Sequence, residues 1–487
     1  MWEIVVATVK FGSGQAAALI CAAVSVKIMA LTIGPAGVGL FSLIRQAQQT
    51  LASLATLGGQ NAVIQGVASR SGADRDRFIS SVFRAFVISA STLGALAVIF
   101  ASTLAKLVFR TDVIDAPLLV RWIAFPVVAG AMLVFFRSLL NARMQIGSVA
   151  WTNVVTAASS IVLVYPAVVA YQRGHEVALV LLLGGSLSIG LLYAIYQASA
   201  RGCLAPLRQA SAATFDKASI RHFLWVGLPS LTALFIGMSS VLVVRALIVG
   251  WHGLPAAGQF DSAWSISMLY LTVFLTAMHS YLLPALSADL THEAGQAVLG
   301  RALRLAIIVS VPLISVLIVF KPLVVRLLYS GEFLPALDLL RWTLLGDYLR
   351  VAGWVLATTL VARADMRAYL VCEIAWNTVF VGGAYWLARE SIAGAGPAYL
   401  AAYSVYVVAL AIRARRTQRI SLPAGLLALW AAGACVVLVV SISAWTDSQV
   451  VWSKATLILA AALMSWLAVT PAERHFLRDR LVQIWNR

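Results

Sequence analysis

A chain of 487 residues would, if soluble, make two or three domains, but 61% of its residues are hydrophobic and only 11% charged, against about 25% charged in an ordinary globular protein. Its 36 Lys and Arg outnumber 19 Asp and Glu, for a formal net charge of +17. These basic residues sit between apolar runs of about 20 residues, each long enough to cross a bilayer core, which excludes soluble enzymes and DNA-binding domains and predicts no nucleic-acid partner.

In chain order the apolar runs fall near 11–33, 38–64, 78–105, 117–136, 148–171, 177–199, 222–249, 259–286, 302–320, 337–362, 368–388, 394–412, 422–445 and 452–470. The expectation is an all-α polytopic membrane protein with about fourteen transmembrane helices. The first run is not read as a cleavable signal peptide: Glu3 and Lys10 precede an apolar stretch too long for an h-region, and no small-residue cleavage site follows. Cys21, Cys203, Cys372 and Cys435 lie in separate segments without paired spacing, so neither a disulfide framework nor a metal site is expected and core packing is their predicted role.

Orientation follows from the connections. With the amino terminus inside, the inner connections carry 21 Lys and Arg, including Arg70, Arg137, Arg143, Arg201, Arg208 and Arg413, while the outer ones carry seven. The positive-inside bias then puts both termini in the cytoplasm, which requires an even number of spans.

A weak internal repeat appears when residue n is set against n+219. Gly34, Gly39 and Phe41 then meet Gly253, Gly258 and Phe260, and Lys27 falls within one residue of Arg245. Two parallel six-helix lobes are expected, 1–200 and 222–412, joined by a cytoplasmic linker at 201–221. Two additional helices at 413–470 and a basic cytoplasmic tail at 471–487 complete the predicted organisation. Transporters built from such repeats bind substrate between the halves. Gly12 and Gly14 in the first helix, and Gly227 with Pro229 in the seventh, are expected to loosen the lead helix of each half.

No Gly-x-x-x-x-Gly-Lys-Ser/Thr loop, His-Glu-x-x-His, Cys-x-x-Cys or Gly-x-Ser-x-Gly occurs. No catalytic residues, metal site or cofactor are therefore predicted, and the chain is not expected to be an enzyme.

The informative charges lie within the apolar runs. Lys10, Lys27, Arg45, Arg84, Arg121, Arg245, Arg341 and Arg350 face only three embedded acids, Asp261, Asp347 and Glu373. A charge exposed to lipid costs about 2.5–3.5 kcal/mol on insertion scales, so these groups should face a cavity or each other, and that cavity would be cationic. At about 1.5 Å per residue, Lys27, Arg45 and Arg245 lie at similar depths of roughly 8–10 Å from their nearest turns. Together with Arg350 they form the candidate substrate-binding set. A pyrophosphate suits them, because guanidinium binds it through paired donors and ammonium adds a point charge. Snorkelling of Lys27 to the interface is the alternative for that residue, and Asp347 with Arg350, spaced i, i+3, could instead neutralise each other. Asp261, Asp347 and Glu373 are the candidates for ion coupling, with His279 on the same helix as Asp261.

The segment Val26-Lys-Ile-Met-Ala-Leu-Thr-Ile-Gly-Pro-Ala-Gly-Val-Gly-Leu-Phe-Ser-Leu-Ile-Arg-Gln46 resembles the amino-terminal signature of polysaccharide and O-antigen flippases, including those for enterobacterial common antigen. These belong to the multidrug/oligosaccharidyl-lipid/polysaccharide (MOP) exporter superfamily, and the fold implied is MOP/MATE-like. The resemblance implies export of an undecaprenyl-pyrophosphate-linked oligosaccharide from the cytoplasmic to the periplasmic leaflet of the bacterial inner membrane by alternating access, and the lack of a nucleotide-binding loop points to an ion gradient as the drive. It also implies Lys27, Arg45 and Arg245 as contacts for the pyrophosphate or an anionic sugar, and a polysaccharide polymerase and chain-length regulator as partners. The last two helices resemble the extra pair of lipid II flippases in the same superfamily. A drug or cation antiporter of the same fold is the first alternative, although the first six helices hold no embedded carboxylate to attract a cation. A membrane glycosyltransferase or ligase is the second, and the short outer connections leave little room for one.

Overall fold

The computed structural model describes residues 2–109, 115–205, 207, 216–287, 292–363, 365–417, 423–443 and 451–468, and their regular structure is entirely helical. In chain order the helices are α1 (Trp2–Thr32), α2 (Gly34–Ala55), α3 (Gly59–Ala68), α4 (Gly72–Ile99), α5 (Ala101–Val108), α6 (Ala116–Ala142), α7 (Ile146–Gln172) and α8 (Val177–Ala200). They continue with α9 (Lys217–Ser287), α10 (His292–Leu328), α11 (Leu337–Ala362), α12 (Met366–Leu387), α13 (Ala395–Thr417), α14 (Ala424–Ser443) and α15 (Val451–Ala468). The described residues of each predicted apolar run lie within this helical framework, as they must where no water is present to satisfy a free backbone.

Ten described helices are long and apolar enough to cross a membrane. That measure searches the described residues only, and two of the four predicted runs it does not count have visible structural reasons. The runs at 222–249 and 259–286 belong to one continuous stretch, α9, interrupted only at Gly253, whose φ of 79° and ψ of 179° suit glycine alone. The run at 38–64 is two helices, α2 and α3, separated by Leu57 and Gly58 at positive φ, and α2 carries Arg45, Gln46, Gln48 and Gln49 among its apolar residues. Pro126 in α6, Pro166 in α7 and Pro312 in α10 sit inside helices that continue through them. Helix α1 likewise continues through Gly12 and Gly14, and α9 through Gly227.

The chain forms two compact units, Met1–Ser262 with Val325–Pro335, and Ala263–Val324 with Ala336–Arg487. Residues 222–262, which the repeat assigns to the second half, thus group with the first 200. Most of the predicted linker and the whole basic tail at 471–487 lie outside the described residues.

In the first unit α1 packs on α7, α6 on α4 and α8, and α7 on α8. Its core is aromatic: the Phe135 ring lies 5.2 Å from Phe83 and 5.3 Å from Phe86, and Phe86 lies 5.9 Å from Phe223. Cys203 is buried in this cluster. In the second unit α13 packs between α11 and α12. Helix α14 joins them where Gly433 lets the Tyr348 hydroxyl approach and donate to the Trp430 carbonyl at 2.7 Å. Core packing accounts for Cys203 and Cys372, both buried, whereas Cys435 is exposed. The outward surface suits lipid, with Ile99, Val162, Leu192 and Trp386 all more than 60% exposed.

Candidate functional site

The turn motif positions the first cluster. Gly34 and Gly253, equivalent under the repeat, both take positive φ, 60° and 79°, so each opens the helix that follows it. Beyond them α2 and the segment after Gly253 meet at Gly39 and Gly258, where a Cβ on either would stand about 2 Å from a backbone carbonyl of the other segment. This contact brings Arg45, Arg245 and Asp261 together. Arg45 Nη2 donates to Asp261 at 2.9 and 3.3 Å, and Arg245 Nη1 lies 2.7 Å from Asp261 Oδ1. The equivalent phenylalanines sit under the two cations, Phe41 5.9 Å from the Arg45 guanidinium and Phe260 5.6 Å from that of Arg245.

Exposure separates the two arginines. The Arg245 and Asp261 side chains are 2% and 3% exposed, while Arg45 is 29% exposed. Arg245 is therefore an internal counter-charge that fixes Asp261, and Arg45 is the member that a ligand can reach. Two guanidiniums share one carboxylate, so the cluster keeps a net positive charge. Asp261 is saturated by cations and has little to offer a coupling ion.

Lys27 does something else. Its ammonium donates to the Arg326 carbonyl at 2.7 Å and to the Tyr329 carbonyl, so it caps the carboxyl-terminal end of α10, where the orphaned carbonyls and the helix dipole favour a cation. Gln46 and Gln48, which follow Arg45, also serve the fold: Gln46 donates to the Met238 carbonyl at 3.0 Å and Gln48 to that of Pro126 at 3.1 Å.

Beside Arg45 the first unit contains a cavity of about 330 Å³. Arg137 and Asn153 line it with Phe41, Thr156 and Ser160. Arg137 is half-buried inside α6, not in a connection as the sequence suggests. Both side-chain polar atoms of Asn153 are buried without a hydrogen-bond partner. Sequence reading missed these two residues, although Thr152, Asn153, Thr156, Ser159 and Ser160 trace a polar stripe at helical spacing along α7.

A second cluster lies in the other unit. Asp347 is fully buried and accepts from Ser267 at 2.9 Å, Tyr270 at 2.8 Å and Tyr399 at 2.8 Å. Arg350, expected either to bind substrate or to pair with Asp347, reaches the Tyr399 hydroxyl at 3.4 Å and the Met268 sulfur at 3.0 Å. No Arg350–Asp347 ion pair forms among the described residues; Tyr399 stands between them. Tyr399, Tyr403 and Tyr406 then run along α13, with ring centroids 4.8 and 6.1 Å apart, and Tyr406 donates to Glu373 Oε1 at 2.6 Å. Asp347 and Glu373 thus terminate one tyrosine ladder with a single guanidinium beside it. The side chain of His279 lies outside the described residues.

Arg341, another embedded cation, donates from Nε to Ser441 at 2.8 Å and so ties α11 to α14. Among the described residues no group of His, Cys, Asp and Glu is arranged to hold a metal ion.

Comparisons with known proteins agree with this architecture. The lipid III flippase of Escherichia coli (strain K12) is 26% identical over 420 residues, covering 83% of this chain and 95% of that protein. The structure of the lipid II flippase MurJ in an inward closed conformation is similar with a TM-score of 0.73 at 14% identity, covering 98% of this chain and all of that one. An inward-facing multidrug resistance MATE family transporter of the MOP superfamily gives a TM-score of 0.66 at 18% identity, covering 84% and 96%. The protein is a multi-pass membrane protein with the MOP fold. Residues 10–288 match the model of the family described as polysaccharide biosynthesis protein, more than half of the sequence, and the chain belongs to that family.

Proposed function

We propose that this protein is a flippase for an undecaprenyl-pyrophosphate-linked oligosaccharide, moving it from the cytoplasmic to the periplasmic leaflet of the bacterial inner membrane. The observation that carries the reading is the Arg45–Asp261–Arg245 cluster: two cations share one acid within membrane-spanning helices, and the surplus charge belongs to Arg45, the member open to a ligand. An anionic headgroup supplies the counter-charge that an embedded cation requires. The lipid III flippase relative, aligned over 83% of this chain, supports the same substrate class.

In this reading the protein works by alternating access of two six-helix lobes, 1–200 and 222–412, with α14 and α15 as additions and both termini in the cytoplasm. Arg45 is the principal headgroup contact. Lys27 and Arg245 hold the frame around it, and Arg350 belongs with the coupling apparatus. Asp347 and Glu373, without a basic partner within ion-pair distance among the described residues, are the coupling carboxylates. A polysaccharide polymerase and chain-length regulator would act on the exported unit.

The test is Arg45→Gln in a strain whose own flippase is deleted, with insertion verified by membrane fractionation. Loss of surface polysaccharide is expected, and normal surface polysaccharide from the inserted variant overturns the assignment. The tyrosine-bridged carboxylates would equally suit a cation antiporter of this fold. Proton-driven efflux of an organic cation by purified protein, without lipid-linked oligosaccharide transport, would favour that second reading.

A further inference from the structure

The cavity beside Arg45 contains two polar groups that the fold leaves unused. Arg137 lies in α6, a helix otherwise apolar enough to span a membrane, and has neither an ion pair nor a hydrogen-bond partner among the described residues. An uncompensated guanidinium in such surroundings is costly unless an anion joins it. Asn153, only 8% exposed, leaves both Oδ1 and Nδ2 unsatisfied. A buried amide without partners carries a desolvation penalty that a ligand with donors and acceptors removes.

The other walls are complementary. Thr156 donates to the Thr152 carbonyl, which leaves its oxygen free to accept from a ligand hydroxyl, while Ser160 donates to the Ala157 carbonyl and shares a 2.8 Å hydrogen bond with Ser25, which leaves its oxygen one lone pair for the ligand. Phe41 and the leucines of α8 supply an apolar face. The volume of about 330 Å³ is at the small end of ligand pockets, which span about 300–1,000 Å³.

From this geometry we propose that Arg45, Arg137 and Asn153 form an anionic-sugar subsite inside the first unit: the guanidiniums take a phosphate or carboxylate, and Asn153, Thr156 and Ser160 take the hydroxyls or amide of the attached ring. The proposal rests on the flippase reading and deepens it, because it places the charged group and its neighbouring sugar within one unit. Arg45 belongs both to this subsite and to the Asp261 cluster. Anion binding therefore competes with Asp261 for the same guanidinium, so an occupied subsite loosens the contact at Gly39 and Gly258.

The experiment uses full-length protein in lipid nanodiscs and reads thermal stabilisation by inorganic pyrophosphate and by methyl glucuronoside, with methyl glucoside as the neutral control. At least one anionic probe is expected to stabilise the wild type more than the neutral sugar. Arg137→Gln and Asn153→Leu should each weaken that probe about tenfold, the loss of one charge-assisted or buried hydrogen-bonding group. Selective loss of the pyrophosphate effect identifies the lipid phosphate as the source, and selective loss of the glucuronoside effect identifies a sugar carboxylate. Arg137→Lys, which keeps the charge without the forked donors, should retain part of the effect and shows that the site tolerates substitution. No stabilisation of the wild type by either anion, or unchanged stabilisation in both Arg137→Gln and Asn153→Leu, overturns the subsite. Either result leaves the flippase reading to stand or fall on the export assay with Arg45→Gln.

Discussion

Gly39 and Gly258 meet backbone to backbone, and each closes on the partner segment in the same way. A Cβ on Gly39 would lie 2.1 Å from the Leu254 carbonyl oxygen, and one on Gly258 would lie 2.0 Å from that of Pro35. Leu254 and Pro35 are related by the same 219-residue offset as the two glycines, so the contact maps onto itself under the repeat. A side chain at either position forces the backbones apart, because the obstacle is a carbonyl and not a movable side chain.

Gly39→Ala and Gly258→Ala should therefore each destabilise the protein by about 1–3 kcal/mol, the range for overpacking a tight contact. Gly237, where an added methyl would meet nothing within 4 Å, is the control, and Gly237→Ala should leave stability unchanged or raise it by up to about 1 kcal/mol through helix propensity. Thermal unfolding of the detergent-solubilised protein distinguishes them.

Asp261→Asn removes the counter-charge of a fully enclosed Arg245 and is expected to cost about 3–5 kcal/mol, the effect of breaking a buried pair. The double variant Arg245→Met with Asp261→Asn should recover much of that loss. A double-mutant cycle on unfolding temperature checks the coupling, and additive losses would show that Asp261 is not held by Arg245.

Lys27→Met keeps the stem and removes the ammonium from the Arg326 and Tyr329 carbonyls. Losing charged hydrogen bonds at a helix terminus predicts a destabilisation of about 1–2 kcal/mol. It should lower thermal stability even without ligand, whereas Arg137→Gln should act mainly on ligand-dependent stability.

Asp365 lies outside the spans, caps α12 through the Ala368 amide at 3.3 Å and accepts from Arg413 Nη2 at 2.7 Å. The hydrogen bond from Arg413 holds its carboxyl below the usual carboxylate range. A depressed folded-state pKa contributes stability above the ordinary carboxylate value and loses it as pH falls through the folded one. The unfolding temperature should accordingly drop with acidification below about pH 4. Asp365→Asn should show less of that drop while being slightly less stable at neutral pH, as expected for a partly exposed pair. Unfolding curves from pH 3 to 7 provide the check.

Asp347→Asn preserves size; its amide oxygen can still accept from Ser267 and Tyr399 while its amide nitrogen donates to the Tyr270 hydroxyl oxygen, so the protein should fold and insert. If Asp347 couples an ion, export by this variant should lose its dependence on the proton gradient. Transport into vesicles with and without an imposed pH difference measures this directly.

The sequence by itself determined the solvent and the class. Apolar runs of spanning length admit only helices, because lipid satisfies no backbone group, and the n+219 offset sets Gly39 against Gly258, two glycines whose segments meet in the structure. It also singled out Arg45, Arg245 and Asp261, because embedded charges are rare enough to stand out. Only the tertiary structure decided what each charge does, since that depends on partners brought from distant helices. Arg45 and Arg245 converge on an acid 216 and 16 positions away in the chain, Lys27 caps a helix about 300 residues on, and Tyr399 separates Asp347 from Arg350 despite their i, i+3 spacing. The roles of Arg137 and Asn153 were hidden for the same reason: what marks them is that they have no partner among the described residues in three dimensions, which no one-dimensional pattern records.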